Sequence, residues 1–85
     1  MVSRIQDTLK SRAHTHGEFS NVADASQAIK EVIVMHTSTL LSCGQTEALE
    51  MISTKIARII CGNPDHKDSW HDIAGYALLA EELIP

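Results

Sequence analysis

The sequence predicts an all-α domain of four helices, a bundle-like fold in which the last two helices form an antiparallel acidic hairpin. Apolar residues recur every three to four positions along most of the chain, which is the period of a helix with one buried face. Gly62-Asn63-Pro64 interrupts the longest such pattern with residues that end helices. The remaining proline is the last residue, Pro85, so none falls inside a periodic segment.

Ser3 is the expected cap of a short first helix reaching about Arg12, with Ile5 and Leu9 four apart and Arg4, Gln6 and Lys10 left for solvent. Ala13 to Phe19 reads as a loop. Ser20 then caps a second helix, ending near His36, whose Val22, Ala25, Ile29, Val32 and Ile33 make a buried stripe. Thr37 to Gly44 is the connection to a third helix, which runs from Gln45 or Thr46 to Cys61. Its core stripe is Leu49, Ile52, Ile56, Ile59 and Ile60; at 100° per residue, Glu47, Glu50, Thr54 and Arg58 fall on the opposite side. Gly62 supplies a left-handed cap and Pro64 prevents continuation. The fourth helix begins near Asp68 or Ser69. From Ile73 to Ala80 every residue is apolar or Gly, so this helix is expected to be buried on several sides.

The chain of 85 residues is one domain, residues 1–85. A monomer of that size buries only roughly 60–65% of its unfolded surface, and assembly into a homodimer or homotetramer is the expected remedy. Seven Lys and Arg stand against eleven acids, and the net charge of -4 argues against a general nucleic-acid binder, which carries a basic face. Cys43 and Cys61 match no zinc or redox spacing and read as reduced thiols. No segment approaches the roughly 18 apolar residues of a membrane span. The first ten residues lack the apolar core of a signal peptide, so a soluble intracellular protein is expected.

Two acidic pairs carry the chemistry. Glu47 and Glu50 lie three apart on the third helix, and Asp68 and Asp72 four apart at the start of the fourth, so each pair shares a helical face. A short turn would bring the four carboxylates together as the oxygen set that Mg²⁺ prefers, a cation that completes its shell with water and phosphates. Lys55 and Arg58 lie one to two turns on and could receive phosphate oxygens. His16, Phe19, Trp70 and Tyr76 are the planar rings available to a base. Each has a plainer reading: Asp68 as an N-cap, Asp72 as a complement to the helix dipole, Glu47 and Glu50 as a solvated face, the aromatic rings as core. Gly75, inside the last helix, costs about 1 kcal/mol in propensity and leaves room for close approach.

The runs Arg12, Thr15-His16-Gly17-Glu18-Phe19, then Glu47 to Ile52, Lys55 to Ile59, and Asp68-Ser69-Trp70-His71-Asp72-Ile73-Ala74-Gly75-Tyr76-Ala77 cover most of the chain. With them the sequence resembles a family of small phage and prophage proteins of unassigned function. More distantly it is similar to the MazG-like all-α nucleoside triphosphate pyrophosphohydrolases and to nucleotide-modification-associated phage domains. That resemblance implies a Glu-x-x-Glu on one helix, a Glu-x-x-Asp on the next, Mg²⁺ held between them, a dimer or tetramer, and the cytoplasm of a bacterial host. Glu47 and Glu50 match the first motif and Asp72 the last acid of the second. Ser69 falls where its first acid should be, and Asp68 stands one position early. The resemblance therefore implies a Mg²⁺-dependent nucleoside triphosphate pyrophosphohydrolase or a nucleotide-binding protein, with Glu47, Glu50, Asp68 and Asp72 as metal ligands and Glu50 and Asp72 catalytic. The competing expectation is a non-enzymatic small phage protein that binds and modulates a host protein.

Overall fold

Four helices carry the fold, α1 (Val2–His16), α2 (Phe19–His36), α3 (Cys43–Cys61) and α4 (Lys67–Glu82). The computed structural model describes the backbone of residues 2–85 and the side chains of residues 4–85, and no strand occurs among them. The all-α expectation therefore holds, with shifted boundaries.

The α1 helix runs one turn past Arg12, and the expected loop from Ala13 to Phe19 shrinks to Gly17 and Glu18. Ser3 falls inside α1, and its side chain lies outside the described residues. The α2 helix begins at Phe19, so Ser20 is not its cap, and Glu18 in the cap position makes no side-chain hydrogen bond. The α3 helix starts two residues earlier than the periodicity suggests. Ser42 and Gln45 form a capping box in which the Ser42 hydroxyl accepts from the Gln45 amide at 3.0 Å and the Ser42 amide donates to Gln45 Oε1 at 2.9 Å. Gly62 ends α3 as expected but at φ -122°, not in the left-handed region. Space, not dihedral preference, selects this glycine: a Cβ there would lie 2.6 Å from His16 Cα.

The α3 helix is the centre of the molecule. It packs along its length against α2 on one side and α4 on the other, α1 touches α2 and α3 more lightly, and α4 contacts neither α1 nor α2 among the described residues. Lys55 meets Asp72, and the space above Gly44 is taken by Leu83, so α3 and α4 run antiparallel in the expected hairpin. Ser26 and Thr54, whose hydroxyls lie 3.3 Å apart, set the register of α2 against α3.

The buried residues are small, with the exception of Ile59. Ser26, Ala48, Ser53, Ala57, Ile59 and Ser69 are buried, and Ser53 returns its hydroxyl to the Leu49 carbonyl at 2.7 Å, so its burial leaves no unpaired donor. Of the expected α3 core stripe, only Ile59 is buried; Ile52 and Ile56 are half-buried, and Leu49 and Ile60 are exposed. The α4 helix, expected to be covered on several sides, buries only Ser69 and leaves Trp70, Leu78 and Leu79 exposed. Helix periodicity identifies an apolar face correctly but does not say whether the same chain covers it.

Candidate functional site

Two turns lock together beside the end of α1. The Asn63 amide donates to the Thr15 carbonyl at 2.8 Å. Gly17, at φ +92°, passes so close to the end of α3 that a Cβ would lie 2.7 Å from the Cys61 carbonyl carbon. These contacts hold His16 between the helices. Its ring stands edge-on to His66 with centroids 5.4 Å apart, and its Nδ1 is shielded from solvent without a hydrogen-bond partner.

Burial lowers the His16 pKa below its ordinary value, and the charges of Arg58, His66, Lys55 and Arg12 push in the same direction. At neutral pH the ring is uncharged within a cationic neighbourhood. A cleft of about 470 Å³ opens here between α1, α2 and α3. Arg12, His16 and Arg58 supply its basic wall, Glu18 one carboxylate, and Ser26, Gln27 and Thr54 neutral polar groups, while Phe19 sits at its edge with 84% of its surface exposed. That volume lies within the range of small-ligand sites.

The acidic residues separate instead of converging. Lys55 Nζ lies 2.9 Å from Asp72 Oδ2, and this hydrogen bond holds the Asp72 carboxyl below the usual carboxylate range; His71 and Arg58 add to the effect while partial desolvation opposes it. The register that pairs Lys55 with Asp72 leaves Glu50 about 7.5 Å away along the α3 axis, at 1.5 Å per residue. Glu50 instead lines a shallow depression beside Asp24, Gln27, Lys30 and Glu31 of α2. Glu47 lies a further turn away and Asp68 towards the other end of the hairpin, both exposed. Among the described residues no three His, Cys, Asp or Glu side chains come close enough to hold a metal ion, so one chain's donors do not fit Mg²⁺.

The other expected groups divide as well. Arg58 faces the cleft while Lys55 is engaged with Asp72, which parts the expected phosphate-binding pair. His16 and Phe19 line the cleft. Trp70 lies on α4 and donates its indole N–H to the Pro64 carbonyl at 2.8 Å, and Tyr76 lines a separate depression with Asp72, Gly75 and Leu79. Arg12 and His66 were not among the expected site residues. The signal for Arg12 was its i, i+4 spacing to His16, visible only if α1 continues past Arg12, whereas His66 reaches the site from the turn before α4 and no local spacing marks it.

Residues 3–84 match the family described as Domain of unknown function (DUF6378). The chain belongs to that family. No curated protein and no solved structure matches it. For this DUF6378 domain the family description carries no activity, in keeping with the unassigned function that the sequence resemblance implied. Functional argument therefore rests on the cleft. Cys43 and Cys61 are free thiols, set at opposite ends of α3 and so about 27 Å apart along its axis, far beyond disulfide reach. No helix among the described residues is long and apolar enough to cross a membrane.

Proposed function

We propose that this domain binds nucleotides through the cleft between α1, α2 and α3, with the phosphates on Arg12 and Arg58 and the base against Phe19. The observation that carries the reading is the convergence of Arg12, Arg58 and the shielded His16 on one cleft edged by an exposed aromatic ring. A chain of net charge -4 needs such a local concentration of positive charge to admit a polyphosphate. Guanidinium groups suit phosphate because they donate paired, charge-assisted hydrogen bonds. His16 adds a neutral ring whose protonation an arriving anion would favour, a third donor supplied at the moment of binding. Ser26, Gln27 and Thr54 offer donors and acceptors to sugar or base.

The similarity to MazG-like pyrophosphohydrolases supports the same ligand class. Because a single chain does not gather a donor set for Mg²⁺, the proposal is one of recognition, and hydrolysis forms no part of it. Calorimetry with a panel of nucleoside triphosphates, with and without Mg²⁺ and with released pyrophosphate assayed in the same samples, tests it. Arg58→Ala is expected to weaken binding about 10- to 100-fold, the worth of one charged hydrogen bond. Absence of heat with every nucleotide, or equal affinity in Arg58→Ala, overturns the reading.

A further inference from the structure

The α2, α3 and α4 helices form a layer, because α3 lies between two helices that do not touch each other. A layer has two sides. At 100° per residue, the buried residues of α3 fall on two nearly opposite faces, Ala48 and Ile59 on the side of Lys55, which meets Asp72 of α4, and Ser53 and Ala57 across from them. The remaining two faces carry different chemistry. One bears Glu47, Thr54, Lys55 and Arg58, and α1 with the cleft lies over it. The other bears Leu49, Ile52, Ile56 and Ile60, and Ile60 is 66% exposed. The neighbouring helices continue this second side: on α2, Val32 lies about 140° round from Gln27, which faces the cleft, and on α4 Trp70 lies about 160° from Asp72. Neither the α3 stripe nor Val32 nor Trp70 carries a charge.

The molecule exposes more surface than a compact chain of its size. Its accessible area is 6547 Å², whereas a folded monomer of this mass exposes about 5,000 Å². The Cα radius of gyration is 14.7 Å, against about 12 Å for a compact domain of this length. The excess, about 1,500 Å² per chain, falls in the range that obligate homodimers bury.

We infer that the apolar side of this layer, centred on Leu49, Ile52, Ile56 and Ile60 of α3 with Val32 and Trp70 at its flanks, is the contact surface for a second copy of this chain. An uncharged apolar patch is complementary to itself, which a two-fold symmetric contact requires, and the excess surface of the chain as a whole is on the scale that a stable dimer covers. The contact lies on the opposite side of the layer from the nucleotide cleft and does not depend on what that cleft binds.

Two valines on α2 provide the test. Val32 and Val34 are 57% and 77% exposed and point to opposite sides of the layer. Sedimentation equilibrium of the full chain is expected to give a dimer at micromolar concentration. Val32→Gln and Ile60→Gln should each weaken it about tenfold or more, with Val34→Gln within about twofold of wild type. A wild-type chain that stays monomeric up to about 100 μM, or a dimer that Val34→Gln disrupts and Val32→Gln does not, overturns the inference. Trp70, the sole tryptophan, gives a readout on the unaltered chain. Its emission should shift to the red on dilution in step with dissociation, and unchanged emission through dissociation would also overturn it. Circular dichroism of each variant identifies loss of fold, and for any variant that unfolds the Trp70 dilution decides.

Discussion

Gly17→Ala places a methyl group where the turn after α1 meets the end of α3, and its cost follows from two contributions. The backbone at φ +92° puts alanine in the left-handed region, at about 1–2 kcal/mol. The new Cβ would also lie 2.7 Å from the Cys61 carbonyl carbon and 2.9 Å from Cys61 Cβ. These neighbours belong to a packed helix end, not to a flexible side chain, so an overpacking cost of about 1–3 kcal/mol is added. Reduced freedom of the unfolded chain offsets about 0.4–1 kcal/mol. A net loss of about 2–4 kcal/mol is expected from a domain whose whole stability is about 4–13 kcal/mol. Gly75→Ala is the comparison, because no atom lies within 4 Å of its added Cβ and the site is inside α4. It should gain about 0.5–1 kcal/mol. Urea denaturation followed by circular dichroism, at one fixed protein concentration, reads both; on heating, Gly17→Ala should lower Tm by about 10–25 °C. A Gly17→Ala protein within about 0.5 kcal/mol of wild type, or a Gly75→Ala protein destabilised as much, would refute the packing described for these turns.

The remaining predictions concern charge. Because His16 has a folded pKa below the unfolded value of about 6.5, the unfolded chain takes up a proton there that the folded chain refuses. This part of the stability is present at pH 7 and declines as the pH falls from the unfolded pKa through the folded one, and His16→Gln should flatten that portion of a pH series of urea midpoints. Histidine ring chemical shifts should place the His16 pKa higher with inorganic phosphate or nucleotide bound than in the free protein; no change, or a fall, contradicts an anion in the cleft. Lys55→Met removes the ion pair to a partly exposed Asp72, so its stability cost should stay below about 1 kcal/mol. The same change should raise the Asp72 pKa, followed by carboxyl carbon shifts, while Arg58→Met has the larger effect on nucleotide affinity.

Much of the fold was legible because helices announce themselves locally. The second, third and fourth helices follow from periodicity, and the stop at Gly62 follows from Gly62-Asn63-Pro64. What periodicity could not supply was the extent of α1, since His14, Thr15 and His16 continue a helix without an apolar residue to mark it. Nor did it reveal that α2, α3 and α4 approach through serine and alanine, which read as neutral in a pattern of large apolar side chains. The site was less legible because it depends on register. A glutamate pair and an aspartate pair, each on one helical face, converge only if the hairpin pairs them at the same height. The Lys55–Asp72 contact fixes a different register, in which Asp72 meets a lysine and Glu50 turns to α2. Arg58 and His16 stand out in the sequence as separate residues, and their meeting in one cleft depends on α1 folding back over α3.

The interlocked turns have a consequence for α1 itself. Its last turn is fixed by the Asn63–Thr15 hydrogen bond and by the two glycines, whereas Ile5 and Leu9 nearer its start are exposed. The helix is thus a lever clamped at one end. Amide exchange should slow progressively from its first turns to Thr15, with the opening of early turns costing far less than global unfolding. Arg12 sits one turn from the clamp, so the cleft can keep its arginine while the free arm of the lever swings.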